Sequence, residues 1–131
     1  MSDEASLRSP LGRVAGFGTA KEGAKHWWAQ RLTAVALVLL GGWFIVSLAM
    51  LGSFEYGVVR HWIAGPFNAT LLSVFIGTLA YHSQLGVQVV VEDYVHGAWK
   101  TVSIVLSNFF HVVLGVLGVI AVLRIAFGGA A

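Results

Sequence analysis

The sequence predicts an all-α membrane protein with three transmembrane helices, and three observations carry that prediction. Apolar residues make up 57 % of the 131-residue chain and charged ones 11 %, with a mean hydropathy of +0.80. A soluble domain of that size cannot hide so much apolar surface, so the excess points to lipid. No Asp, Glu, Lys or Arg occurs between Arg31 and Glu55, between Arg60 and Glu92, or between Lys100 and Arg124. Each gap exceeds the ~20 residues a helix needs to cross a hydrocarbon core ~30 Å thick. The cations are also unevenly placed. Arg8, Arg13, Lys21, Lys25, Arg31 and Lys100 fall on one side of three spans, Arg60 and Arg124 on the other. The positive-inside rule therefore puts the N-terminus and the loop after the second span in the cytoplasm.

These gaps place helices at about 30–52, 66–91 and 99–126. Residues 1–25 read as a cytoplasmic N-terminal arm, loosely structured around Pro10, and residues 26–131 as the transmembrane domain. Roughly thirty polar, glycine-containing residues precede the first apolar run, and that run is longer than a secretory signal core, so it is expected to stay as an anchor. A basic arm can signal nucleic acid, but its cations are mixed with Asp3, Glu4 and Glu22 and serve topology, so no nucleic-acid partner is expected. The absence of cysteine excludes disulfides, thiolate-held iron–sulfur clusters and covalent CxxCH haem attachment for this chain.

The first helix begins in KHWWAQR, residues 25–31, where paired indoles between cations suit the headgroup region. Arg31 at that boundary either snorkels to the headgroups or, if buried, pairs with an anionic or carbonyl group. Residues 53–65 read as a short loop carrying Trp62, and Pro66 sits where a helix can start. The 92–99 connection is short, so the second and third helices should be antiparallel neighbours. In the third, Asn108, His111, Gly115 and Gly118 recur every three or four residues and share one face. Small residues there allow close approach, and polar ones need partners across the interface. Three helices make a thin bundle, which calls for a partner membrane protein.

The second helix raises the sharpest question. His82 lies eleven residues before Asp93. On a helix the two fall nearly in line and ~16 Å apart, so an Asp93 at the cytoplasmic rim puts His82 near mid-membrane. An ionisable residue at that depth is a functional candidate by default. Neutral imidazole can bind haem iron axially, with Gly86 leaving room for a flat macrocycle; it can equally make an interhelical hydrogen bond. His111, also mid-helix, is the rival ligand. Tyr81, Gln84 and Gln88 occupy another face, so this helix is expected to be surrounded by protein. At the rim, Tyr94 can donate a hydrogen bond to a quinone carbonyl, and Asp93 can deliver a proton to reduced quinone. Their plain alternatives are an aromatic-belt tyrosine and a solvated helix end. His26, His61 and His96 lie near helix ends and call for no special role.

HWWAQRLTAVAL at residues 26–37, His82, the eleven-residue step to Asp93 and then Tyr94 together resemble the smaller hydrophobic anchor of succinate dehydrogenase (respiratory complex II), a cytochrome b-type anchor of the alphaproteobacterial and mitochondrial-like branch. The resemblance spans roughly residues 16–125. It implies half of a six-helix heterodimeric anchor bundle in a bacterial inner membrane, and a chain that does not itself bind succinate. It implies a second cytochrome b anchor, an iron–sulfur subunit and a flavoprotein as partners. It implies His82 as one axial ligand of a shared b-type haem, Arg31 beside the haem propionates and quinone, and Tyr94 with Asp93 at the ubiquinone site. On that pattern His111 becomes an interhelical polar contact. The competing readings are a haem-free, quinone-binding anchor of a fumarate reductase-type complex, a two-haem cytochrome b anchor, and a small proton-translocating subunit using both histidines.

Overall fold

A computed structural model describes residues 18–128. The described residues form four helices: α1 Gly18–Ala49, α2 Tyr56–Ala64, α3 Pro66–Tyr94 and α4 Ala98–Phe127. Three of them are long and apolar enough to cross a membrane: Gly23–Ala49 within α1, all of α3 and all of α4. Helix α3 is central, packed most extensively on α4 and next on α1. The arm expected over residues 1–25 lies largely outside the described residues.

Two expectations need correction. The first helix starts at Gly18, twelve residues before the predicted boundary. The predicted boundary follows hydrophobicity, whereas Ala20, Lys21 and Glu22 are good helix formers that carry the helix on beyond the apolar run. The loop expected at 53–65 contains α2. Val59, Trp62 and Ile63 recur at helical spacing, and that apolar stripe turns inward.

That stripe helps to build the buried apolar cluster of the described residues. Ala69, Leu72 and Val122 are buried there, flanked by Trp43, Phe44, Trp62, Ile63, Ile76 and Ala126. Trp43 and Trp62 stack with centroids 5.9 Å apart, and Phe44 meets Phe75 at 5.5 Å. Pro66 opens α3 at a position where the missing N–H has no helical partner to lose. Asn68 Nδ2 donates to the Trp62 carbonyl at 2.8 Å, tying α2 to α3.

The other end is closed by a connector of three residues, 95–97. Gly97 has φ +68° and ψ −153°, a conformation that disfavours any residue with a Cβ, and it turns the chain directly into α4. Along the α3–α4 seam a Cβ on Gly118 would stand 2.8 Å from Ile76 Cγ2, and one on Gly115 3.2 Å from Ala80 Cβ. The small-residue stripe is thus where α4 closes on α3, as the spacing predicts. Many of the other apolar side chains point outward; Val38 and Leu39 are 73 % and 70 % exposed and Phe109 68 %. Such a surface is stable facing lipid or another membrane protein, not water.

Candidate functional site

His82 sits on the α1 side of α3, about midway along the helix, and both ring nitrogens have defined neighbours. Thr33 Oγ1 lies 2.8 Å from His82 Nδ1. The same hydroxyl lies 2.7 Å from the Ala29 carbonyl and 3.1 Å from the Gln30 carbonyl. A hydroxyl has one proton, and carbonyl oxygens can only accept. With that proton on one of its own carbonyls, the Thr33 oxygen is an acceptor for His82 Nδ1–H, and Gln30 Nε2, which can only donate, faces Nε2; both contacts favour the tautomer with the proton on Nδ1. The Nε2 lone pair is left facing Gln30 Nε2 at 3.5 Å, the outer limit of a hydrogen bond. The nitrogen that a metal would need is held only loosely.

The surroundings suit a bulky planar group. Gln30, His82, Ser83, Gly86, Val87 and Val90 line an open groove of about 380 Å³. Gly86 lies one turn from His82, and a Cβ there would meet nothing closer than Gln30 Nε2 at 3.8 Å. Gln30 Oε1 and His26 Nε2 are both buried without a hydrogen-bond partner. His26, Gln30 and Thr33 are spaced i, i+4, i+7 and share the face of α1 that meets α3. Sequence reasoning does not single out Gln30 and Thr33, and it reads His26 as a helix-end residue. The spacing is the signal that could find all three, and the neighbouring indoles hide it.

His111 is different. Its Nδ1 lies 2.7 Å from the Ser107 carbonyl, so Nδ1 donates, and Nε2 accepts from the Ser83 hydroxyl at 3.1 Å. Both nitrogens are used, Nδ1 within α4 and Nε2 in joining α4 to α3, the interhelical contact expected of it. A larger groove of about 550 Å³ runs beside it, on the α3–α4 seam. Its polar groups bond mainly to one another: Gln84 Nε2 donates to Asn108 Oδ1 at 2.7 Å and to Gln88 Oε1 at 3.0 Å. The smaller groove carries the available nitrogen, so chemistry rather than volume decides between them.

Asp93 and Tyr94 lie in the last turn of α3, both exposed, Tyr94 to 79 %. Among the described residues neither side chain makes a hydrogen bond or ion pair. Arg31 is exposed on α1, one residue beyond Gln30, with its guanidinium 5.3 Å from the centroid of the Trp27 ring. Thr33, Gln30 and His82 form one cluster; Arg31, Asp93 and Tyr94 are not in contact with it. No group of three or more His, Cys, Asp or Glu that could hold a metal ion occurs among the described residues. A single imidazole would be enough only for a metal that arrives already held by a prosthetic group, as in a haem.

Comparison with known proteins shows the family. Residues 5–123 match the family described as succinate dehydrogenase/fumarate reductase transmembrane subunit. The succinate dehydrogenase hydrophobic membrane anchor subunit of Rickettsia bellii is 33 % identical over 89 residues, 68 % of this chain and 71 % of that protein. That of Rickettsia conorii is 31 % identical over 106 residues, covering 79 % and 84 %. That of Paracoccus denitrificans is 27 % identical over 120 residues, covering 92 % and 93 %. No solved structure matches the chain significantly. The chain is a multi-pass membrane protein and belongs to the succinate dehydrogenase/fumarate reductase transmembrane subunit family.

Proposed function

We propose that this chain is the smaller hydrophobic anchor of a succinate:ubiquinone oxidoreductase, without catalytic activity of its own. In this reading it docks the iron–sulfur and flavoprotein subunits at a bacterial inner membrane, with its N-terminus in the cytoplasm. It pairs with a second cytochrome b anchor, and His82 is one axial ligand to a b-type haem shared between them. The observation that supports this most directly is the His82 ring: Nδ1 is committed to Thr33 and Nε2 is available beside a glycine-lined groove. Bound there, the haem would supply a one-electron carrier.

The remaining roles belong to this chain's own side chains. The Tyr94 phenol donates a hydrogen bond to a ubiquinone carbonyl, and Asp93 beside it is the nearest acid able to hand on a proton. Arg31 offers a fixed cation to a haem propionate or a quinone oxygen. At a desolvated subunit interface such a charge acts far more strongly than in water. Outward apolar faces of α1 and α3 supply the surface on which a second anchor and lipid can pack.

Purification through a tag on this chain tests the reading. The expected product contains a flavoprotein, an iron–sulfur protein, a second anchor and b-type haem. Tyr94→Phe should lower succinate:ubiquinone reductase activity by about a hundredfold. Electron delivery from succinate to a soluble artificial acceptor should be unchanged, because that step bypasses the membrane. Equal activity with ubiquinone in variant and wild type contradicts the role given to Tyr94, and isolation without those partners contradicts the anchor role.

A further inference from the structure

Thr33 is not a typical back-bonding threonine of a membrane helix. Such a residue satisfies its own hydroxyl on a carbonyl one turn back and needs nothing else. Thr33 has two such carbonyls within reach of its one proton, Ala29 at 2.7 Å and Gln30 at 3.1 Å. Its Oγ1 then meets a third polar atom, His82 Nδ1 on another helix, at 2.8 Å. With the hydroxyl hydrogen on either carbonyl, the oxygen is left to accept from His82 on α3. Threonine is β-branched and stiff at χ1, so this acceptor is held as firmly as the helix itself.

Resting on the haem-ligand reading above, we propose that Thr33 is the positioning residue of His82: its oxygen takes the Nδ1 proton's hydrogen bond, fixes the ring's orientation, and keeps Nε2 as the donor nitrogen. Two physical consequences follow. With Nδ1–H committed, the ring cannot present the other tautomer, in which Nε2 carries the proton and has no lone pair to give. The hydrogen bond also makes the imidazole a stronger electron donor, which favours ferric over ferrous iron. No other side chain among the described residues hydrogen-bonds His82 Nδ1. Gln30 approaches only Nε2, and at a distance that holds it weakly.

The test uses the whole complex, purified with wild-type chain, Thr33→Val, Thr33→Ser, Thr33→Ala and His82→Leu. Haem content, the electron paramagnetic resonance spectrum of the oxidised haem and its reduction midpoint are read in each. Thr33→Val keeps the shape and removes the acceptor. It should raise the midpoint by the equivalent of about a tenfold loss of ferric preference, about 59 mV for a one-electron couple. It should also change the low-spin spectrum, and Thr33→Ser should restore both. Should the valine variant not assemble, the smaller alanine variant carries the same readout. A midpoint and spectrum unchanged in Thr33→Val, while His82→Leu loses the haem, overturns the role of Thr33 and leaves the haem reading standing. Loss that serine does not restore also overturns it, because the effect then belongs to packing. An unaltered spectrum in His82→Leu overturns the haem reading itself.

Discussion

Two histidines lie midway along membrane helices, His82 on the central α3 and His111 on α4, and their surroundings differ. His82 faces α1, where a threonine hydroxyl accepts from Nδ1 and Nε2 has only a 3.5 Å contact with an amide. His111 faces α3 from α4, where a carbonyl takes Nδ1–H and a serine hydroxyl donates to Nε2 at 3.1 Å. The neighbours of both rings favour a proton on Nδ1. What separates them is the partner at Nε2. A hydroxyl at bonding distance uses up a lone pair, and an amide at the limit of contact does not. The difference teaches that an intramembrane histidine is assigned by what its second nitrogen meets, not by its depth.

The comparison can be broken at the seam. Gly118→Leu places side-chain carbons where Ile76 already stands, since a bare Cβ would lie 2.8 Å away. It should cost about 1–3 kcal/mol by overpacking. The separation of α4 from α3 should break the Ser83–His111 bond and leave the Thr33–His82 pair intact. A thermal dissociation midpoint checks the cost. A retained haem spectrum in the surviving complex checks that His82 is untouched.

Ser83→Ala sharpens the contrast with a smaller change. It removes only the donor to His111 Nε2, at about 1 kcal/mol. If an available lone pair alone made a ligand, this variant would give His111 the character of His82. The ring stays held on α4 by its Nδ1 bond to the Ser107 carbonyl, within the α3–α4 seam, so haem content should stay at the wild-type ratio. Haem measured per complex decides it.

Trp27→Leu is the mildest probe. It releases Arg31 from the ring 5.3 Å away and should cost no more than about 0.5–1 kcal/mol. A small shift of the thermal midpoint, with ubiquinone reduction retained, is the expected result. A large loss of ubiquinone reduction would mean that the indole holds Arg31 in place for the quinone site.

The three spans are plain in the sequence, because a charge-free run longer than a bilayer crossing is the mark of a segment surrounded by lipid. The α3–α4 seam is also legible, from Gly115 and Gly118 at helical spacing. The start of α1 and the whole of α2 are not. Hydropathy marks where lipid begins, but a helix continues for as long as its residues favour it, as Ala20 to Glu22 do. Helix α2 is short and half apolar, and its identity rests on Trp62 and Ile63 finding a core to pack on.

At the site, His82 stands out in the sequence because a histidine at that depth is costly. Thr33 and Gln30 do not, because a threonine and a glutamine at the edge of an apolar run are ordinary until another helix is laid against them. Which nitrogen of His82 is available depends on that long-range contact, and no local pattern contains it. Asp93 and Tyr94 are legible as types, but they sit at the exposed end of α3, where this chain alone gives them no partner among the described residues.

The distinction between the two histidines is open to one direct measurement. Dithionite-reduced minus oxidised spectra would be recorded for the complex purified through this chain as wild type, His82→Leu and His111→Leu. A b-type α band in wild type and His111→Leu, lost or converted to high spin in His82→Leu, is the predicted result. A band that survives in His82→Leu, or disappears in His111→Leu, would contradict it.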